Sequence, residues 1–263
     1  MAFDNGIIFD VKSTGDDTNN GGGFSAAATF ATDLAATSGT SAAPVVTSAS
    51  YNFHADDVNH YLFVKGGTNW IPGWYLIASV ASNAATLTAT IDSVVLYNGA
   101  SAMNLTEGVA TTASPTGGTW GIDYSRSATP RIAYTDMVIG GGGGTTYTSA
   151  ANPVLPNVVG NVIKVLSGTN FTVQRIQVLS AAAGVASADK AIGTAGATGG
   201  TGNLGGALAT PGMAAGLVTA TGWIATLGNT TYTLSSSSNV SGGRLSPPGC
   251  IVFGYMTHRH PYN

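Results

Sequence analysis

Val58–Val80, VNHYLFVKGGTNWIPGWYLIASV, returns 101 residues further on as Val159–Ala181, VGNVIKVLSGTNFTVQRIQVLSA. The match needs no gap. Identities fall at Val58/Val159, Val64/Val165, Gly67/Gly168, Thr68/Thr169, Asn69/Asn170 and Ser79/Ser180, and conservative pairs at Leu62/Ile163, Trp70/Phe171, Tyr75/Ile176 and Ile77/Val178. Leu62 and Val64 alternate with their neighbours, as do Ile163 and Val165, and a period of two places each pair on one face of a strand. Tyr75 and Ile77, with Ile176 and Val178, mark a second strand of the same parity. Gly-Thr-Asn and an aromatic lie between the two strands, which is turn chemistry flanked by β-formers. A third strand follows over Ala85–Ile91, where Leu87, Ala89 and Ile91 alternate. The join before it holds Asn83 in one copy and Gly184 in the other, the residue types that best tolerate positive φ, so a tight turn is predicted there. Each copy reads as an antiparallel meander, 58–91 and 159–192, with these alternating residues in its core.

Outward from the repeat the matches loosen. Ala128-Thr129-Pro130 resembles Ala209-Thr210-Pro211, and Thr145–Thr148 resembles Thr230–Thr233. Pro211 at a helix start costs no hydrogen bond, which predicts two helical turns over Met213–Thr219 and the same over Ile132–Val138 in the first copy. The expected class is all-β: an N-terminal extended arm (1–47), a first β module (48–150), and a second β module with C-terminal strands (151–263). The arm is rich in Gly, Ala, Ser and Thr with weak apolar periodicity, so it is expected to order only against a partner.

Charge narrows the function classes. Only 8% of residues are charged, where about a quarter is typical of soluble domains, while 44% are hydrophobic. The net charge is −3, so copies repel one another little and self-association is expected. The nine Lys and Arg are scattered, with no basic run beyond His258-Arg259-His260. Nucleic-acid binding needs a clustered basic stripe, so none is expected. The start, Met1–Gly6, has neither a cationic nor an apolar leader region, and no apolar run reaches the length of a membrane helix. Synthesis in a cytoplasm, without a membrane partner, is the expectation. The single cysteine, Cys250, excludes an intrachain disulfide framework and reads as a small buried hydrophobe.

Candidate chemistry is sparse. His54, Asp56, Asp57 and His60 are legitimate metal ligands, but the second copy puts Leu155, Asn157, Val158 and Asn161 there. A polar turn is therefore expected, with no metal and no other cofactor. Trp70, Trp74 and Tyr75 could form a sugar-stacking platform. Tyr75 has core parity and Trp70 matches Phe171, whereas Trp74 matches Arg175 and is expected to be exposed. Glycoside hydrolysis needs two facing carboxylates; Asp16, Asp17, Asp56, Asp57 and Asp123 offer no favoured pair. No G-x-S-x-G elbow occurs. The runs Gly140–Gly144 and Gly193–Gly206 read as loops, lacking the flanking signals of a phosphate cradle. No catalytic residue is expected. Residues expected to face sister subunits are Phe24, Trp74, Trp120 and Arg175, since interfaces enrich aromatics and arginine.

Four stretches carry a family resemblance: IIFDVKSTGDDTNNGGGF at the start, GGTNWIPGWYLIASVASNAATL, GGTGNLGGALATPG, and TTYTLSSSSNVSGGRLSPPGCIVFGYMTHR near the end. They resemble phage virion structural proteins of the tail-spike and fibre kind, in which such β modules precede a right-handed parallel β-helix. In that group the chain continues into β-helical coils after a segment like Gly254-Tyr255, so the resemblance implies either the anchoring part of a longer chain with a β-helix-like C-terminal part or a short relative lacking the receptor-binding portion. It also implies a non-enzymatic role on the virion surface as a spike or fibre anchor or a capsid-decorating cement protein. The implied partners are identical subunits, as a homotrimer, and phage capsid or tail proteins. A receptor- or polysaccharide-binding adhesin, with host-surface glycan as partner, is the alternative, and a depolymerase spike a more distant one.

Overall fold

The computed structural model describes residues 8–11, 14–20, 22–24, 28–88, 108–124, 127–141, 143–210, 213 and 224–227. These residues form an all-β protein with two closed six-stranded barrels. The first comprises β3 (Ala31–Ala36), β4 (Val45–Thr47), β5 (Tyr61–Gly66), β6 (Gly73–Ala81), β7 (Ala84–Thr88) and β8 (Gly118–Asp123). The second comprises β9 (Ile132–Ile139), β10 (Thr146–Thr148), β11 (Val162–Ser167), β12 (Arg175–Ala182), β13 (Val185–Ala188) and β14 (Gly200–Leu204). Around each barrel the order is the same: β3-β4-β7-β6-β5-β8 and β9-β10-β13-β12-β11-β14. A small sheet joins β1 (Ile8–Val11) to β2 (Gly22–Phe24) on one side and, in parallel, to β15 (Ile224–Leu227) on the other.

Both meanders are present, as β5-β6-β7 and β11-β12-β13. Leu62, Val64, Tyr75, Ile77, Leu87, Ile163, Val165, Ile176 and Val178 are all buried, none more than 1% exposed, while Ala89 and Ile91 of the expected third strand lie outside the described residues. Full burial of a large apolar side chain contributes about 1.5–3 kcal/mol each. The turns coincide as well. Asn69 and Asn170 lie at φ 66° and 64°, Gly67 and Gly168 at 135° and 137°, and Asn83 and Gly184 at 63° and 79°. Bulges recur at Ile77/Ser79 and Val178/Ser180, and at Val64/Gly66 and Val165/Ser167. Gly67 and Gly118 lie under the Trp70 ring, and Gly168 and Gly200 under Phe171; a Cβ at any of these would sit within 2.8 Å of ring atoms.

Several boundaries differ from the sequence reading. β3 and β4 lie within the expected arm yet close the first barrel, burying Leu34 and Val46 completely. β9 and β10, expected in the first module, close the second barrel. Ile132–Val138 is therefore strand β9, not a helical turn: Tyr134, Met137 and Ile139 are buried and the segment pairs with both β14 and β10. Within the expected loop Gly193–Gly206, Gly200–Leu204 is strand β14, Gly200 making room for Phe171 and Gly202 standing opposite Tyr134 in the register. Thr146–Thr148 corresponds to Val45–Thr47, because each pairs with the strand that opens its barrel. Thr230–Thr233, Cys250, His258–His260 and the expected β-helix lie outside the described residues, as does nearly all of Met213–Thr219.

Candidate functional site: the junction between the barrels

Ahead of β5 the chain makes a short 3-10 turn, Ala55–Asp57, and ahead of β11 it makes the equivalent turn Pro156–Val158. Proline at the start of the second turn fixes φ where no donor is needed. In the first turn Asp57 accepts a hydrogen bond from the His54 N–H at 2.9 Å. Val158 stands at the matching position, so the carboxylate belongs to the first barrel alone.

Both turns converge on Tyr124, which follows β8. The Tyr124 hydroxyl donates to Asp57 Oδ1 at 2.9 Å and accepts from Asn157 Nδ2 at 2.7 Å. Tyr51 donates to Asp57 Oδ2 at 2.7 Å. Asn161 accepts from the Tyr124 N–H at 3.0 Å and donates to the Ile122 carbonyl, extending the end of β8 into the second barrel. His60, which Asn161 matches, meets the Tyr124 ring edge-on at 4.9 Å. The Arg131 guanidinium lies over the same ring at 5.7 Å, with Nε 3.6 Å from Asp57 and Nη1 3.5 Å from Asp56.

A buried carboxylate is costly unless paired and hydrogen-bonded, and Asp57 has two phenols, a backbone N–H and a guanidinium around it. Burial, then the Asp57 charge, pushes the Tyr51 and Tyr124 hydroxyls well above their ordinary range, so both stay protonated donors. A carboxylate facing phenols is the material of acid–base chemistry, but Asp57 and Tyr124 are 0% exposed. With Asn157, Asn161 and His60 also buried, the arrangement ties one barrel to the other. The metal reading of this turn meets the same geometry: the Asp57 oxygens are taken by Tyr51 and Tyr124, and Asp56 turns to Arg131. Among the described residues no three His, Cys, Asp or Glu gather as a metal site needs.

The expected interface residues take different places. Trp120 is fully enclosed, its Nε1 donating to Asp33 Oδ1 at 2.9 Å, so it has no face left for a sister subunit. Trp74, expected exposed, is 9% exposed because Phe63 lies against it at 4.5 Å, with Phe30 packed at a tilt beyond. With Trp70 and Tyr75 buried too, the sugar-stacking platform is not on the surface. Phe24 ends β2, and its side chain lies outside the described residues. Arg175 faces residues of its own chain, donating to the carbonyls of Asn20, Asn19 and Asp17 at 3.0, 2.9 and 3.3 Å.

A second polar device escaped the sequence reading. Asp33 accepts from Ser48 Oγ at 2.8 Å and the Ser50 N–H at 2.6 Å. Asp136 accepts from Ser149 Oγ at 2.5 Å and the N–H groups of Ala150 and Ala151 at 2.8 Å. Partial burial pushes the Asp33 carboxyl up, but bonds from Trp120, Ser50 and Ser48 outweigh it and hold it at about 2. The signal was legible: Thr32-Asp33 with Thr47-Ser48-Ala49 returns as Thr135-Asp136 with Thr148-Ser149-Ala150.

No family model, curated protein or solved structure matches this chain. Among the described residues no helix is long and apolar enough to cross a membrane.

Proposed function

We propose that this chain is a non-enzymatic structural protein on the surface of a bacteriophage particle, a spike or fibre anchor or a capsid-decorating cement protein. It acts by assembling with identical subunits, as a homotrimer, and by attaching to capsid or tail. The observation that carries this reading is where the polar side chains go. Asp57, Tyr124, Asn157 and Asn161 are sealed into a barrel-to-barrel lock. Asp33 and Asp136 each clamp the chain after the second strand of their barrel. Polar groups used this way make a durable building block. The low charge of the chain suits a protein whose surface is covered by neighbours, and the virion resemblance of the sequence names the setting.

Quantitative mass spectrometry on purified particles made by the encoding genome tests it. The expected result is a stoichiometric virion component present in whole trimers, retained through high-salt washing. Particles that lack the chain, or that shed it as a soluble protein on washing, overturn the proposal.

A further inference from the structure

The chain enters and leaves the pair of barrels side by side. β1, ahead of both barrels, pairs in parallel with β15, which follows both, in the register Ile8↔Ile224 to Val11↔Leu227. Among the described strands β1 is the sole partner of β15. Val11 also bridges Leu208 in parallel, and both residues are fully buried. Behind that bridge the Asp16 N–H and Asn19 Nδ2 donate to the Ala207 carbonyl, each at 3.0 Å. The Asp17 carboxylate accepts from the N–H groups of Ala209 and Thr210 and from the Thr210 hydroxyl, at 2.8–3.0 Å. The two lengths of chain lie close: a Cβ on Gly15 would fall 2.3 Å from the Leu208 carbonyl oxygen, and one on Gly206 2.6 Å from Asn19.

This arrangement decides how tension travels. Tension applied before Ile8 and after Leu227 pulls the start of β1 and the end of β15 in opposite directions along one axis. Bonds between parallel strands are evenly spaced, so all of them bear that load together, in shear. The same bonds pulled from one end of the pair would open one after another. Both barrels lie in the chain between β1 and β15, so the load crosses from one strand to the other without entering them. The contacts of 11–19 with 207–210 join the same two lengths of chain and hold behind the strands.

We propose that β1 and β15, backed by the contacts of Val11–Asn19 with Ala207–Thr210, form a tension-bearing clamp that transmits a pull along the chain while both barrels stay unloaded. This rests on the reading of the protein as a particle anchor, and it names the part that carries the load. Rupture of such a clamp is governed by the barrier to opening rather than by the stability of the barrels.

Single-molecule force spectroscopy on the full chain tests it, in a Cys250→Ser background. Handles on Ala2→Cys and Asn263→Cys load the clamp in shear. Handles on Ser25→Cys and Gly222→Cys peel it and load the barrels directly. Unfolding of a barrel lengthens the chain by on the order of 300 Å, at about 3.6 Å per residue, which marks those events in each trace. With terminal handles, the first rupture should need several-fold more force than the first event with inner handles, and barrel lengthening should only follow it. An Ala225→Pro, Thr226→Pro variant, which removes N–H donors from β15, should lower that first force while circular dichroism keeps its β signature. Equal first forces in the two geometries, barrel lengthening ahead of any clamp rupture, or an unchanged force in the proline variant each overturn the proposal. Because purified protein is pulled, this result stands apart from whether the chain is found on particles.

Discussion

The two barrels share strand order, bulges and turns, and fill themselves in opposite ways. On the cross-strand pair that opens each barrel, the first places Ala31 opposite Trp120 and the second places Tyr134 opposite Gly202. Large faces small in both, with the large residue moved to the other strand. Neighbouring positions follow: Leu34, Ala36 and Val46 of the first barrel correspond to Met137, Ile139 and Tyr147 of the second. Tyr51 and Phe53 pack on Trp120 at 5.8 and 5.6 Å, while Tyr134 and Tyr147 pack on each other at 5.9 Å. Cores tolerate simultaneous change when total volume is kept, and the exchange shows what the fold requires. Closure and turn geometry are common to both copies, whereas the particular core residue is free to move.

The outer faces diverge further. Tyr61, Phe63 and Trp74 of the first barrel carry an aromatic layer, whereas Val162 and Arg175, at the positions of Tyr61 and Trp74, bond the segment 14–20. One scaffold thus presents an apolar coat in one copy and a polar socket in the other.

The largest effect that can break this comparison is at Trp120. Trp120→Gly should destabilise the protein by about 3–5 kcal/mol through the cavity it leaves, measured by urea unfolding. Adding Ala31→Tyr installs the second barrel's arrangement and should recover part of the loss as a non-additive coupling. If the double variant is no more stable than Trp120→Gly, the size exchange is not interchangeable between barrels.

Next in size is the junction. Tyr124→Phe removes the donor to Asp57 and the acceptor of Asn157, and should cost about 1–3 kcal/mol for buried groups left unmade. Val158 occupies the Asp57 position in the second barrel, so Asp57→Val tests whether an apolar residue can serve the first. It strands the hydroxyls of Tyr51 and Tyr124 as well as Arg131, and should be worse than Tyr124→Phe. A neutral Asp57→Val would mean that the polar network is dispensable.

Smaller is the turn at Asn69, whose φ of 66° matches that of Asn170. Asn69→Gly should be nearly neutral, while Asn69→Ala should cost about 1 kcal/mol because a β-carbon is strained in the left-handed region. Equal thermal midpoints for the two variants would remove conformational strain as the reason for the repeated Gly-Thr-Asn.

The smallest effect is acid sensitivity at Asp33. Its carboxyl is held at about 2 in the folded chain, against about 3.9 when unperturbed. A lowered folded value gives stability that is present above the unfolded pKa and lost as pH falls through the folded one. Denaturant midpoints should therefore drop between about pH 4 and pH 2, and Asp33→Asn should flatten that drop. The group is only partly buried, so screening keeps the effect modest. Asp136, also lowered by its Ser149 bond and the backbone N–H of Ala151, should contribute in the same direction. An unchanged pH profile in the Asp33→Asn, Asp136→Asn double variant would assign the acid response to other carboxylates.

The sequence by itself determined the elements whose cause is local. A two-residue period named the core faces of β5, β6, β11 and β12, because successive side chains on a strand must point to opposite sides. Asn83 and Gly184 located a turn, because only a few residue types accept positive φ cheaply. Tertiary structure alone decided closure, since the strands completing each barrel, β3 and β4 or β9 and β10, lie in segments with little periodicity of their own. It also decided that Trp74 and Trp120 are covered. Tyr51 and Phe53 pack on Trp120, and where alternation predicts one buried face, Phe30 and Phe63 supply a second layer over Trp74 outside the first barrel that no local pattern announces. The junction was hidden for the same reason. Asp57, Tyr124 and Asn157 are far apart along the chain, and only the packing of one barrel on the other makes a buried carboxylate of a turn residue.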